Sequence, residues 1–323
     1  MNKSQKLINA SFTALRDYMG LKPKETLLIV TDETKMEIAG ALHSAGKKLC
    51  KESFLIEMKS RDINGQEPPK QIAALMKSVD VVICPTEKSL THTDARRKAS
   101  AKGVRVATMP GISIETMLRC LNADAERIVE LTKTIAEKLR VTSEIRVVSE
   151  AGTDITMPMK GRNILESTGV LRKKGESGNL PSGEVYLAPW ENKSNGVVVV
   201  DGSMAGIGML INPIRIEVID GYAEKIDGSE EAFTLREMLD KSGREARAVA
   251  EFGFGTNYKA RLCGEILEDE KVFGTIHIAF GNNVSMGGNI KVSSHLDGLI
   301  KNPDVYFDNA AVMKKGKLVK KSL

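Results

Sequence analysis

The chain has 323 residues, of which 41% are hydrophobic and 28% charged. That length exceeds what one hydrophobic core usually fills, and the balance predicts a soluble protein of two domains, excluding wholesale disorder, a collagen and a coiled coil. A net charge of +5 and 4% aromatic residues offer little to nucleic acid, and no apolar run approaches the roughly 20 residues of a membrane helix.

The first part of the chain alternates between two kinds of element. A helix is predicted over residues 5–18, a strand over 25–30, a helix over 35–45 and a strand over 54–58. A helix at 70–78, a strand at 80–84, a helix at 93–101 and a strand at 104–108 follow. Apolar strands separated by helices predict a parallel sheet flanked by helices. A long amphipathic helical stretch over residues 112–140, whole or broken, closes this half. From Ile145 onward strands dominate, and Asn195-Gly196, Asp201-Gly202, Asp220-Gly221 and Asp227-Gly228 are turn signals that predict hairpins. One helix, over residues 230–250, interrupts them.

The fold class is therefore α/β, with an N-terminal parallel-sheet α/β domain over residues 1–142. An α+β domain rich in antiparallel strands is expected over residues 143–323. The polar N-terminus has no apolar signal core, which predicts the cytoplasm. Cys50, Cys84, Cys120 and Cys263 form no CxxC pair and are expected to be buried reduced thiols. The basic runs at residues 172–174 and 314–321 are expected to be solvated. No glycine-rich nucleotide fingerprint follows the first strand.

Metal-ligand chemistry concentrates in the second half. In Thr275-Ile276-His277-Ile278-Ala279-Phe280, a strand puts the three apolar side chains on one face and His277 on the other, over small neighbours. His295 and Asp297, two apart in extended chain, share a side and could meet one ion or two adjacent ones. Glu251 is expected at the end of the helix, leading into a glycine-spaced turn, and Glu184 at the entry to a short strand. Three carboxylates and two imidazoles without a thiolate suit Zn, Mn, Co or Fe. Five such side chains can hold two ions if one carboxylate bridges, and the ion pair would activate a shared water. His277, His295 and Asp297 could equally form a two-histidine, one-carboxylate triad around one iron. His92, in Thr91-His92-Thr93-Asp94, precedes a predicted helix that Thr93 or Asp94 can cap.

The ordered segments NLPSGEVYLAP, AEFGFGTN, GTIHIAFGNN and SSHLDG resemble the successive metal-ligand motifs of the M29 metalloaminopeptidases, the aminopeptidase T type. THTDARRKASAKGVRVATMPGI is similar to the segment before that family's domain junction. The resemblance implies a homodimeric two-domain enzyme with a dinuclear site, holding two divalent ions (Zn, Co or Mn), in the C-terminal domain. Carried over position by position, it marks Glu184, Glu251, His277, His295 and Asp297 as the metal-binding set.

Two positions depart from that pattern. The peptidases carry an acidic residue where this chain has Gly183, and a tyrosine where it has Val284. Tyr258 or Tyr186 is left to replace the phenol, and Glu184 and Tyr258 are the expected catalytic residues. The leading expectation is a metal-dependent hydrolase acting on a small peptide or related amide. Relatives of the fold include an iron dioxygenase that opens dihydroxypyridine rings, so ring cleavage at one iron is the second expectation. A non-catalytic, metal-stabilised binding module is the third.

Overall fold

The computed structural model describes residues 2–319; Lys320 and Lys321, the end of the second basic run, lie outside the described residues. Eight helices punctuate the described chain: α1 (Lys3–Thr13), α2 (Met36–Leu49), α3 (Lys70–Leu75), α4 (Asp94–Ala101), α5 (Ile114–Cys120), α6 (Ala125–Arg140), α7 (Glu230–Lys241) and α8 (Ile266–Asp269). Thr93 caps α4, its hydroxyl accepting from the Arg96 amide, as its place before the helix predicts. The helical stretch predicted over residues 112–140 is broken into two helices, because Ser113 caps α5 and Asp124 accepts from the amides that open α6.

The first four strands are β1 (Thr26–Asp32), β2 (Glu52–Met58), β3 (Val81–Thr86) and β4 (Arg105–Pro110). They then run β5 (Glu144–Val148), β6 (Asp154–Pro158), β7 (Leu165–Ser167), β8 (Ser177–Asn179) and β9 (Glu184–Leu187). After these come β10 (Asn195–Val200), β11 (Ser203–Met204), β12 (Gly208–Met209), β13 (Ile214–Ile219) and β14 (Tyr222–Asp227). The last are β15 (Val249–Gly255), β16 (Thr275–Gly281), β17 (His295–Lys301), β18 (Asp304–Phe307), β19 (Ala310–Lys314) and β20 (Lys317–Leu318).

Two compact units divide the chain, one of residues 1–129 and 167–182, the other of residues 130–166 and 183–323. The sequence places a single boundary near residue 142, whereas here the chain returns to the first unit for residues 167–182. The reason for the return is visible in that unit's sheet, ordered β2-β1-β3-β4-β8, where β8 supplies a fifth parallel strand beside β4. The first four strands are parallel, as the alternation of strands and helices predicts. β3 is buried along its whole length, which fits its continuous apolar run.

The second unit holds an eight-stranded sheet, β14-β13-β10-β6-β5-β18-β19-β20, and a seven-stranded one, β12-β11-β17-β16-β15-β9-β7. Asp220-Gly221 turns β13 into β14 as predicted, but Asn195-Gly196 opens β10 rather than a hairpin. The helix predicted over residues 230–250 ends at Lys241, where Gly243 at φ 85° breaks it. Glu251 therefore lies inside β15, not at a helix end. The thiols form no disulfide; Cys84 and Cys120 are buried as expected, Cys50 is half-buried and Cys263 is exposed.

Alternation along the central strands builds the core of this unit. Val185, Leu187, Phe252, Phe254, Ile276, Ile278, Phe280, Leu296 and Ile300 point to one side and join one apolar cluster. Phe252 is fully buried in it. Phe252→Ala is expected to destabilise the second unit by about 3–5 kcal/mol, the usual cost of emptying a buried aromatic site. A urea titration followed by circular dichroism measures it, and a loss below about 1 kcal/mol would show that this face carries little of the packing.

Candidate metal centre

The other face of the same strands carries the polar residues. In the antiparallel register Glu251 stands opposite Ala279 and Ala279 opposite Asp297, while Gly253 stands opposite His277 and Gly281 opposite His295. On the far side of β15, Gly255 faces Glu184 and Gly253 faces Tyr186. Opposed residues share a face of a sheet, so β9, β15, β16 and β17 together present Glu184, Glu251, His277, His295 and Asp297 to one side. Ala279 and the three glycines among them keep that face open. A Cβ on Gly253 would lie 1.9 Å from His277 Nε2, so the imidazole rests against bare backbone.

Glu251 is the hub. Its Oε1 lies 3.1 Å from His277 Nε2 and its Oε2 3.1 Å from His295 Nε2. His295 Nε2 is also 3.4 Å from Asp297 Oδ1, and His277 Nε2 is 3.7 Å from Glu184 Oε2. The five residues thus form two triangles that share Glu251, one with His295 and Asp297 and one with Glu184 and His277. His277 groups with Glu184 and Glu251 rather than with His295 and Asp297, so the two-histidine triad expected from sequence is not one of the two.

Hydrogen bonding fixes which atom His295 presents. Its Nδ1 is 2.7 Å from the carbonyl oxygen of Asn282, which can only accept, so Nδ1 carries a proton and Nε2 faces the carboxylates. The loop that supplies this carbonyl is itself anchored: Glu191 accepts from the Asn283 side chain and the Asn289 amide, both at 2.9 Å, and pairs with Arg162. His277 Nδ1, by contrast, is buried and makes no hydrogen bond.

Electrostatics at the cluster follow from proximity. Burial alone would lower the pKa of His277, yet Glu251, Asp297 and Glu184 push it up to about 9. Against the same burial penalty, Asp297 and Glu251 hold His295 well above the ordinary imidazole range. Burial opposes ionisation of Asp297, but the His295 imidazole keeps it well below the usual carboxylate range. Two imidazolium protons thus lie among carboxylate oxygens, a donor set that fits a divalent cation in their place.

Two residues of this cluster escape sequence reasoning. Lys271 is 1% exposed, and its ammonium donates to Glu184 Oε1 at 2.8 Å and to Glu270. Glu270 in turn hydrogen-bonds Asp297, and burial, with Asp297 and Glu184 adding to it against the pull of Lys271, pushes its pKa up to about 8. In sequence, Glu268-Asp269-Glu270-Lys271 reads as a solvated charged run. The available signal is the glycine alternation of β15: a Cβ on Gly255 would lie 2.1 Å from the carbonyl oxygen of Val272, so the segment bearing Lys271 crosses directly over that glycine.

The remaining candidates are placed as follows. Tyr186 is half-buried in the row of Gly253 and His277, and burial with the Glu184 and Glu251 charges raises its pKa, keeping the phenol protonated. Tyr258 is half-buried just beyond β15, with the Lys259 ammonium 5.8 Å from its ring centre. Gly183 has φ 128°, and a Cβ there would lie 2.9 Å from the Asn257 amide nitrogen, so the backbone leaves no room for an acidic side chain. Val284 is exposed in a short helical turn.

The fold is that of the M29-like enzymes. The solved structure of wild-type AmpT from Thermus thermophilus superposes with a TM-score of 0.71 at 15% identity, over 98% of this chain and all of that one. Aminopeptidase PepS of Streptococcus thermophilus is 26% identical over 35% of the chain and 30% of its own length. Within that class, the chain belongs to the family described as NicX: 2,5-dihydroxypyridine 5,6-dioxygenase, which it matches over residues 7–320. It is 25% identical to the 2,5-dihydroxypyridine 5,6-dioxygenase of Pseudomonas putida KT2440 over 76% of this chain and 72% of that protein. The solved structure of the 2,5-dihydroxypyridine dioxygenase from the same strain superposes with a TM-score of 0.85 at 18% identity, covering 99% and 98% of the two chains. The resemblance to M29 aminopeptidases seen in the motifs therefore holds for the fold, while the family is that of a dioxygenase.

Gly253→Ala tests the architecture of the cluster directly. The added methyl must displace the buried His277 ring or spread β15 from β16, and metal occupancy is expected to fall while the far-UV spectrum stays native. Unchanged occupancy would show that the position of His277 is immaterial to the centre.

Proposed function

We propose that the protein is a mononuclear non-heme iron dioxygenase that opens a dihydroxylated pyridine-type ring, with Glu251, His295 and Asp297 holding the ion. The observation that carries this reading is the division of the cluster. In the triangle of Glu251, His295 and Asp297 the described ion pairs of the carboxylates are to imidazoles, whereas in the other Glu184 is already paired with the buried Lys271 ammonium. Family membership supplies the reaction class. The two-ion hydrolase expected from the motifs is not favoured, since Gly183 cannot carry an acid and Val284 offers no phenol.

Glu251, His295 and Asp297 would hold the ion through three side chains, leaving further positions for substrate and dioxygen. A ferrous ion held there supplies the one-electron steps that triplet dioxygen needs to react with a closed-shell ring. One ring carbon–carbon bond breaks, both oxygen atoms enter the product, and the ring itself provides the electrons, so no external reductant is consumed. Asn282 orients His295 through Nδ1. His277 holds Glu251 from the side opposite His295, fixing the carboxylate's orientation. Tyr186, kept protonated, offers a hydrogen-bond donor on the same face of the sheet.

Protein loaded with ferrous iron is expected to hold one ion per chain and to consume dioxygen in a one-to-one ratio with 2,5-dihydroxypyridine. His295→Ala and Asp297→Ala are expected to lose the ion, and with it the heat stabilisation that a ligand bound only by the folded state confers. Hydrolysis of leucine p-nitroanilide is expected to be undetectable. Two ions per chain together with turnover of that anilide near the enzyme median of about 10 per second would overturn the proposal in favour of the peptidase.

A further inference from the structure

Lys271 is a charged side chain only 1% exposed, and its position suggests why it is there. Its carbonyl accepts from the Asn257 amide at 2.8 Å, and Asn257 returns the contact by accepting from the Phe273 amide at 3.3 Å. Both ends of the segment are thereby tied to the chain just beyond β15. Gly255, opposite Glu184 in register, lets that segment pass at backbone distance. The outcome is an ammonium delivered to Glu184 at 2.8 Å, beside the triangle of Glu184, Glu251 and His277.

We propose that Lys271 is a positioning residue that limits the centre to one metal ion, its ammonium occupying the electrostatic place of a second. The inference rests on the one-ion reading above and extends it to the residue responsible. A divalent ion entering the second triangle would have to take Glu184 from the ammonium and then sit beside a like charge in a setting of low dielectric. The first triangle lies farther from that charge, because Lys271 reaches Asp297 only through Glu270. The single charge on the ammonium satisfies Glu184 without an open coordination position, so the second triangle can activate neither water nor a carbonyl.

Manganese content and the electron paramagnetic resonance of manganese-loaded protein test this. The wild type is expected to bind one equivalent and to give the signal of an isolated ion. Lys271→Ala, which removes the charge and leaves space for an ion, is expected to bind a second equivalent and to show a spin-coupled pair. Lys271→Arg is expected to keep one. The double variant Glu184→Gln, Lys271→Met, which removes the pair together and keeps the net charge, is expected to bind one equivalent with manganese affinity within about threefold, because Glu184 pairs with the ammonium and not with the ion. One equivalent in Lys271→Ala, or a loss of affinity beyond about threefold in the double variant, would overturn the role of Lys271 while leaving the one-ion reading intact. Two equivalents in the wild type would remove that reading itself. If Lys271→Ala does not fold, the affinity of the charge-conserving double variant decides alone.

Discussion

Three carboxylates buried on one face of a sheet, with a fourth, that of Glu270, half-buried against them, impose the constraint on which this centre depends. Removing an ionised carboxylate from water costs several kcal/mol even after relaxation, so Glu184, Glu251, Glu270 and Asp297 can share the site only with compensation. Glu270 escapes by retaining its proton at neutral pH. Glu184 is matched by the Lys271 ammonium, while Glu251 and Asp297 are matched by imidazolium protons of His277 and His295. Counted at their formal charges with Glu270 protonated, Glu184, Glu251, Asp297 and Lys271 together carry −2. One divalent ion neutralises that charge once both imidazoles are neutral, whereas two would leave an excess of the same size and opposite sign.

The sheet makes this polar cluster possible without weakening the unit around it. Because side chains alternate, Phe252 and Phe254 enter the apolar core while Glu251, Gly253 and Gly255 face the other way. The glycines fill two roles that larger residues could not share. Gly253 admits the His277 ring, and Gly255 admits the backbone that brings Lys271. Packing on one side holds the strands in register, and register alone sets Glu251 two rows from Glu184 and one from His277.

Much of this was legible because period-two alternation survives in short segments. The strand around His277 and the pair His295 and Asp297 show it plainly, and their faces follow from it. The parallel sheet of the first unit was equally visible, since its buried strands are continuous apolar runs. Glu251 was misplaced because the helical pattern of α7 continues through Arg244–Arg247 and hides the break at Gly243. The triangles were not legible at all, because which histidine meets which carboxylate depends on cross-strand register. Lys271 was hidden for a related reason, its burial being created by a backbone crossing that lies far from Glu184 in sequence.

The same scaffold appears in proteins named for peptide hydrolysis and for ring cleavage, so the fold does not choose between them. The choice must lie in residues that change the number of cations or the groups around them. Gly183 is one such residue, and the change there is more than a lost side chain. With φ at 128° and the Asn257 backbone against it, the position has a path that an acidic residue could not follow without moving β9. Glu184 begins β9, so a chain that kept an acid at position 183 would carry Glu184 in a different position relative to Lys271. The glycine and the buried ammonium are therefore parts of one arrangement: the first lets Glu184 approach β15 closely, and the second gives the approaching carboxylate its partner.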